Sequence, residues 1–213
     1  MPRSKNVTTR AGRRPGRPAD TDSSDTRERI VVCARERFAT EGFEGTTNKR
    51  IADDAGVSST ALYHYFPSKA DMYVAVCESI VTELDAAVRR ASAQESMLER
   101  RLVELFAAIG SLGAHSPSIV GFIAGIAAVV RKHPEVSRGT DALGARFRHM
   151  VVELIVTAEE RDRLLHGASA EAFADVVIAV LASMGRMSAR GDQVRSVEAG
   201  EAFLGMLRAS IAR

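Results

Sequence analysis

The N-terminal 19 residues concentrate the side chains best suited to bind phosphate. They contain six basic residues and no acidic one, although the whole chain of 213 residues has a formal net charge of only +2. Arginine within an extended strip of proline and glycine suits the minor groove of DNA, where the negative potential is high. Arg13, Arg14 and Arg17 in the run RRPGRP are therefore predicted DNA contacts, although a solubilising tail has the same composition. Residues 1–24 have too few apolar side chains for a core and are predicted to be a disordered basic arm.

The sequence carries no motif for catalysis or for metal binding. There is no phosphate-binding glycine loop, no His-Glu-x-x-His segment and no paired-cysteine spacing. The five histidines are scattered, and the two cysteines are too few for a disulfide framework. We therefore expect a protein that is not an enzyme and that uses no metal and no cofactor.

The composition indicates an all-α protein. Aromatic residues make up 5% of the chain and tryptophan is absent, whereas alanine, leucine, arginine and glutamate are frequent. The longest apolar run, residues 119–130, spans about 18 Å as a helix, which is less than the about 30 Å of membrane hydrocarbon. This run is predicted to be a helix buried on all sides. Because the basic residues are not followed by the apolar stretch of a secretory signal, we expect a cytoplasmic protein with no membrane association.

Short helical patterns after the arm predict a helix-turn-helix domain over residues 25–72. Gly42 is expected to end the first helix, and Gly56 is expected to form the turn between the second and third. Thr46 or Thr47 is expected to cap the second helix and Ser58 the third. The three helices are expected at about Thr26–Thr40, Asn48–Ala55 and Ser59–Tyr65, after a polar segment at Asp20–Asp25.

The stretch from Gly42 to Lys69 closely resembles the TetR family of bacterial transcriptional regulators. The resemblance implies an N-terminal three-helix DNA-binding domain followed by a larger helical domain that binds an effector and dimerises. One departure is Arg37, which stands where leucine often precedes the phenylalanine of the first helix. The segments that carry the resemblance are Thr46-Thr47, Ile51-Ala52, Gly56-Val57-Ser58 and Leu62-Tyr63-His64-Tyr65-Phe66-Pro67-Ser68-Lys69.

The resemblance also implies DNA contacts for particular side chains. Ser58, Ser59 and Thr60 open the recognition helix, whose N-terminal residues face base edges in the major groove. Ser58 is equally well explained as a helix cap alone. The expected phosphate contacts are Thr47, Asn48, Tyr63, His64 and Lys69, with Asn48 also able to reach a base.

Residues 73–213 are expected to form the larger helical domain. Its last two helices, at about 169–189 and 194–212, have apolar arcs wider than one core face requires. The resemblance implies that they pair with their twofold mates in a homodimer, although a fully internal core would fit the arcs as well. It also implies an effector cavity, whose apolar lining favours an apolar or mixed effector. The candidate lining residues are Phe106, Ile109, Phe122, Ile126, Phe147, Met150 and Met184.

We therefore expect a ligand-responsive regulator of the TetR type, and a repressor in particular. A dimer would bind a palindromic operator on double-stranded DNA and would be released by a small, largely apolar effector. The first alternative is an effector-independent or architectural DNA-binding protein that uses the basic arm on AT-rich DNA. The second is a helical enzyme or carrier in which the helix-turn-helix is incidental.

Overall fold

The computed structural model describes the backbone of residues 19–211 and the side chains of residues 23–209. Within this range the regular elements are all helices, and one isolated β-bridge joins Met97 to Glu159. The expectation of an all-α fold is therefore confirmed. The helices are α1 (Ala19–Gly45), α2 (Asn48–Ala55), α3 (Ser59–Tyr65), α4 (Lys69–Gln94), α5 (Leu98–His115), α6 (Pro117–Lys132), α7 (Pro134–Val156), α8 (Arg161–Leu165), α9 (Ala170–Ala189) and α10 (Gln193–Ile211).

The first helix begins earlier than predicted. It starts at Ala19 rather than near Thr26, so the expectation that disorder continues through residue 24 is wrong for residues 19–24. The sequence between residues 19 and 25 contains three aspartates and neither glycine nor proline, a composition that favours the first turns of a helix. The predicted end of the helix is confirmed, because Gly42 leaves the helical conformation with φ 73° and ψ 174°. Residues 1–18, with Arg13, Arg14 and Arg17, lie outside the described residues.

The helix-turn-helix forms where the sequence places it. α2 and α3 have the predicted bounds, and Gly56 between them adopts a left-handed conformation with φ 66°. The Thr47 side chain caps α2 by accepting from the Arg50 amide, and Ser58 caps α3 by accepting from the Ala61 amide. The apolar stripe of α1 packs on both helices in one buried cluster, whose members include Ile30, Ala34, Phe38, Ile51, Ala52 and Leu62.

The predicted boundary between residues 72 and 73 falls inside the continuous helix α4. Side chains from Met72 to Leu84 belong to the cluster that contains the helix-turn-helix, α4 and α6. Val88 and Ala91, further along the same helix, belong to a second cluster formed with α5, α7, α8, α9 and α10. α4 therefore connects the two cores directly, without a linker.

The expectation that α6 is buried on all sides is wrong. Ile119 and Phe122 are its only buried residues, whereas Ala124, Ala127 and Ala128 are exposed. Burial differs round the helix because one side packs on α1, where an added Cβ at Gly121 would lie 3.3 Å from the Ala39 Cβ. A second side lines a cavity in the helical domain.

Within the described range, α9 is the one helix that by itself has the length and apolar composition of a membrane span. The helices α5 and α6 meet the same criterion only as a pair, across a bend of 103°. Core helices of soluble proteins share this property, so composition alone assigns neither to a membrane.

A candidate nucleic-acid interface and an internal cavity

The start of α3 presents an exposed polar surface. Ser58, Ser59 and Thr60 are all exposed, and so is His64 at the other end of the helix. Tyr63 is 51% exposed, although it is a large aromatic residue. The residues of the recognition helix and its cap that are predicted to meet DNA are therefore all accessible to solvent.

A hydrogen bond between α2 and α3 fixes the Tyr63 hydroxyl. The Asn48 Nδ2 atom donates to the Tyr63 Oη atom over 3.1 Å. Because that oxygen accepts from Asn48, its own proton remains available to a further acceptor such as a phosphate oxygen. Asn48 is half-buried and its Oδ1 atom has no partner among the described residues, so its amide acts here mainly as a donor to Tyr63.

Lys69 has internal partners that the sequence did not reveal. Its Nζ atom donates to the carbonyl of Phe43 over 2.7 Å and to the carbonyl of Thr46 over 3.1 Å. The ammonium group also lies 4.5 Å from the centre of the Phe43 ring. The side chain thus holds the connection between α1 and α2, and a DNA contact from its remaining proton stays a prediction.

Arg37, the departure from the family pattern, joins α1 to α2 through carboxylates. Its guanidinium makes a bidentate pair with Asp54, at 2.5 and 2.9 Å, and a bond of 2.6 Å to Glu41. The hydrogen bonds from Arg37 lower the pKa of both carboxyl groups. Glu41 also accepts from Arg50 over 2.9 Å, so the positive charge of Arg50 is partly used inside the domain. Lys49 beside it is exposed and makes no ion pair with the described residues.

The helical domain contains a cavity of about 280 Å³ lined by residues of α4, α5, α6, α7, α9 and α10. Four of the seven predicted lining residues do line it: Ile109, Ile126, Phe147 and Met184. Their side chains come from four different helices, which the fold brings to one space. Whether they contact an effector stays a prediction.

The other three predicted lining residues lie in the packed core instead. Phe122 packs on Tyr73, with ring centres 4.5 Å apart, and Phe106 stacks on Phe203 at 5.6 Å. Met150 packs against the second core cluster. Each is apolar at a helical spacing that fits a core position as well as a cavity wall, and the structure assigns the core position.

Most of the cavity wall was not predicted. It includes the buried thiol of Cys77, whose pKa is raised to about 12 by burial. None of its lining residues is charged. The unpredicted lining residues are Cys77, Ile80, Val81, Leu84, Gly110, Leu112, Gly113, Ile119, Val120, Ile123, Thr140, Leu143, Gly144, Ile178, Leu181, Ala182, Gly185, Ser188, Gln193 and Ser196.

The end of α6 connects the cavity wall to the helix-turn-helix. The ring of His133, directly after α6, lies 4.5 Å from the ring of Phe43. Its Nε2 atom is 3.4 Å from a Glu44 carboxylate oxygen, and Lys132 is 3.7 Å from the same oxygen. The Phe43 ring also contacts the ammonium group of Lys69, the first residue of α4. The end of α6 and the start of α4 therefore contact the same segment of α1, at Phe43 and Glu44.

Several apolar side chains on α9 and α10 are exposed to solvent. Val176 is 50% exposed on α9, and on α10 Val194 is 69% and Met206 65% exposed. Val197 adds a further exposed side chain of the same kind. The wide apolar arcs predicted for the last two helices are therefore only partly used by the internal core.

These features define a class of protein: a helical domain with an internal cavity, joined through continuous helices to an N-terminal helix-turn-helix. Residues 30–76 match the family model described as bacterial regulatory proteins, tetR family. This match identifies the helix-turn-helix of the chain as one of the TetR type, as the sequence predicted.

The curated relatives match over the N-terminal part of the chain. The HTH-type transcriptional regulator RutR of Escherichia coli is 43% identical over 58 residues, or 27% of each chain. The HTH-type transcriptional activator FasR of Mycolicibacterium smegmatis is 37% identical over 67 residues, 32% of this chain and 31% of FasR. The nucleoid occlusion factor SlmA of Haemophilus influenzae is 31% identical over 96 residues, 45% of this chain and 44% of SlmA. The chain thus matches less than half the length of these relatives.

Solved structures match over most of the chain. A TetR-family protein from Rhodococcus superposes with a TM-score of 0.74 at 17% identity, covering 88% of this chain and 99% of that one. The fatty acid degradation regulator FadR of Bacillus halodurans gives a TM-score of 0.72 at 16% identity, covering 86% and 96%. At these identities the likeness shows a shared fold.

Proposed function

We propose that the protein is a transcriptional regulator that binds DNA through α2 and α3. The observation that carries this proposal is the exposed Tyr63 hydroxyl, held by Asn48 with its proton free, beside the exposed start of the recognition helix. Polar side chains at that start are suited to base edges, and a positioned hydroxyl is suited to phosphate. Such a role in gene regulation would place the protein in the cytoplasm.

Selection of bound sequences from random duplex DNA, at a stated salt concentration near physiological, tests this function. Recovery of one palindrome with two half-sites supports a dimeric regulator. Recovery of AT-rich sequence without a palindrome favours the alternative of an architectural protein, for which the RRPGRP run of the arm is the specific observation. Failure to recover any sequence, even at low salt, would contradict both and would reopen the enzyme or carrier alternative.

We further infer a homodimer formed through α9 and α10. The inference is supported by the exposed valines and methionine on these helices, because self-association covers exposed apolar side chains. A twofold dimer can place two recognition helices in successive major grooves, about 34–36 Å apart. Met206→Glu should shift the protein towards monomer in sedimentation analysis and weaken binding to a palindrome. The control substitution Val32→Glu, at an exposed apolar position on α1, should leave the dimer intact.

The proposed regulation is release from the operator by a small ligand in the cavity, so that the protein acts as a repressor. Several cavity residues lie on α6, whose end packs through His133 on Phe43. A ligand that binds better when α6 is displaced would favour a dimer with wrongly spaced recognition helices, because only differential affinity shifts such an equilibrium. Since FasR is named an activator, the direction of regulation is measured with a reporter gene, and higher expression on deleting the protein supports repression.

A further inference from the structure

The polar groups of the cavity share one hydrogen-bonding property. The Thr140 hydroxyl donates to the carbonyls of Val136 and Ser137, at 3.1 and 2.9 Å. The Ser196 hydroxyl donates to the carbonyl of Met184 over 3.0 Å, and Ser188 donates to the Gln193 Oε1 atom. Each hydroxyl proton is thus already used inside the protein, and these three oxygens offer a ligand only lone pairs.

Gln193 supplies the complementary donor. Its Oε1 atom is occupied by Ser188, and its Nε2 group has no partner among the described residues. Gln193, at the start of α10, is an exposed residue of the cavity wall, whereas Ser196 on the same helix is buried. The polar part of the wall is therefore a patch on α9 and α10 that combines an amide donor with hydroxyl acceptors.

The uncharged wall of the cavity disfavours a ligand that carries a charge. None of the residues lining the cavity is charged, so an ion held against its apolar wall would lose hydration without gaining a counter-charge. A carboxylate would be further disfavoured because it only accepts hydrogen bonds and would face hydroxyl oxygens that have already donated their protons. A ligand hydroxyl can do both, donating to Ser196 and accepting from Gln193.

We propose that the cavity binds an uncharged amphiphile, with an apolar body and a hydroxyl-bearing end held by Ser196 and Gln193. This inference rests on the proposed effector function, because it assigns a chemical class to the same site. The volume of about 280 Å³ lies near the lower end of small-molecule sites, which span about 300–1,000 Å³. The ligand is therefore a medium-chain or single-ring compound rather than a large one.

Three probes of equal chain length test the proposal: 1-decanol, decanoate and decylamine, with the full-length protein at pH 8. Titration calorimetry should show decanol binding at least about tenfold more tightly than either charged probe, a difference of about 1.4 kcal/mol. Ile126→Trp, which fills the cavity, should abolish decanol binding, and Val32→Trp on the exposed surface of α1 should not. That pair separates binding in the cavity from adsorption to the surface.

A specificity change gives the sharper test. Gln193→Arg places a cation at the polar patch, so the affinity for decanoate should rise to or above that for decanol. Gln94→Arg, the same substitution at the exposed end of α4, should leave the preference unchanged. Ser196→Ala should weaken decanol binding several-fold, because it removes an acceptor from the polar patch.

The proposal is overturned if decanoate binds the unchanged protein as tightly as decanol, or if decanol does not bind up to its solubility limit. Operator release is measured separately, by titrating decanol into the protein–DNA complex. Cavity-dependent binding without any effect on DNA would retain the ligand class and contradict the effector function. DNA release by decanoate alone would retain the function and contradict the ligand class.

Discussion

Replacing Lys69 by methionine separates a structural role at the α1–α2 connection from a role in phosphate binding. Methionine keeps an unbranched apolar stem over the Phe43 ring but removes the ammonium group. The carbonyls of Phe43 and Thr46 then lose a charged donor at 2.7 and 3.1 Å. Because Thr46 precedes the cap residue of α2, this loss loosens the segment that positions the helix-turn-helix.

The expected destabilisation is about 2 kcal/mol. A hydrogen bond to a charged group contributes about 1.5–3 kcal/mol net, and an exposed cation over an aromatic ring about 0.5–1 kcal/mol. Lys69 is only partly buried, so in the variant water can donate to the two carbonyls in place of the ammonium group. The combined contribution of the two interactions is therefore expected near its lower end. Urea denaturation followed by circular dichroism should show this as a lower midpoint with an unchanged slope.

The salt dependence of operator binding, measured where both proteins are fully folded, provides the second measurement. We expect Lys69→Met to lower the affinity without changing the slope of log K against log salt, because the ammonium is held by carbonyls. The control Lys49→Met removes an exposed lysine without an ion pair and should leave stability unchanged. If Lys49 contacts a phosphate, the slope of log K against log salt should be smaller in magnitude by about 0.9 for the Lys49→Met protein. A stable Lys69→Met protein with a reduced slope would refute the structural role.

Four further predictions concern Tyr63, the basic arm, Arg101 and Asp54. Tyr63→Phe should reduce operator affinity in a filter-binding assay without lowering the melting temperature, since the lost hydroxyl is exposed; a melted domain would make Tyr63 a structural residue. Deleting residues 2–18 should weaken DNA binding and flatten its salt dependence while keeping the selected operator, and an unchanged slope would exclude the arm from binding. Arg101→Met should cost about 3 kcal/mol in urea denaturation, because three acceptors lose a buried charged donor. Asp54→Asn should destabilise the protein at pH 6, but the difference should vanish as acid protonates Asp54 below its lowered pKa, where the Arg37 pair is lost in both proteins.

The sequence predicts the helix-turn-helix to the residue because its signals are local. The threonine and serine caps and Gly56 act within a few positions of the helix ends they determine, as the cap hydrogen bonds confirm. The early start of α1 was missed for a related reason. The first apolar residue of its stripe is Ile30, so the preceding turns have no core-facing pattern that could reveal a helix.

Long-range contacts could not be predicted in the same way. Lys69 lies 26 residues from Phe43, and Arg37 lies 17 from Asp54, so neither pair leaves a periodic signal. A lysine at the start of a helix and an arginine in α1 fit an exposed position as readily as an internal one. Only the packing of α1 against α2 and α4 decides between them.

The cavity lining is the part of the structure that the sequence predicts least well, because it depends on how each helix is rotated about its axis. Periodicity identifies apolar positions on α5, α6 and α7 but cannot distinguish a residue facing packed neighbours from one facing empty space. Phe122 and Ile126 are one turn apart on α6, yet the first packs on Tyr73 and the second lines the cavity. The difference arises because Gly121 lets α6 approach α1 closely. The side of α6 next to α1, with Phe122, is therefore part of the packed core, whereas the side with Ile126 lines the cavity. A larger residue at position 121 should therefore change the cavity through α1, although no atom of that residue lies in the wall.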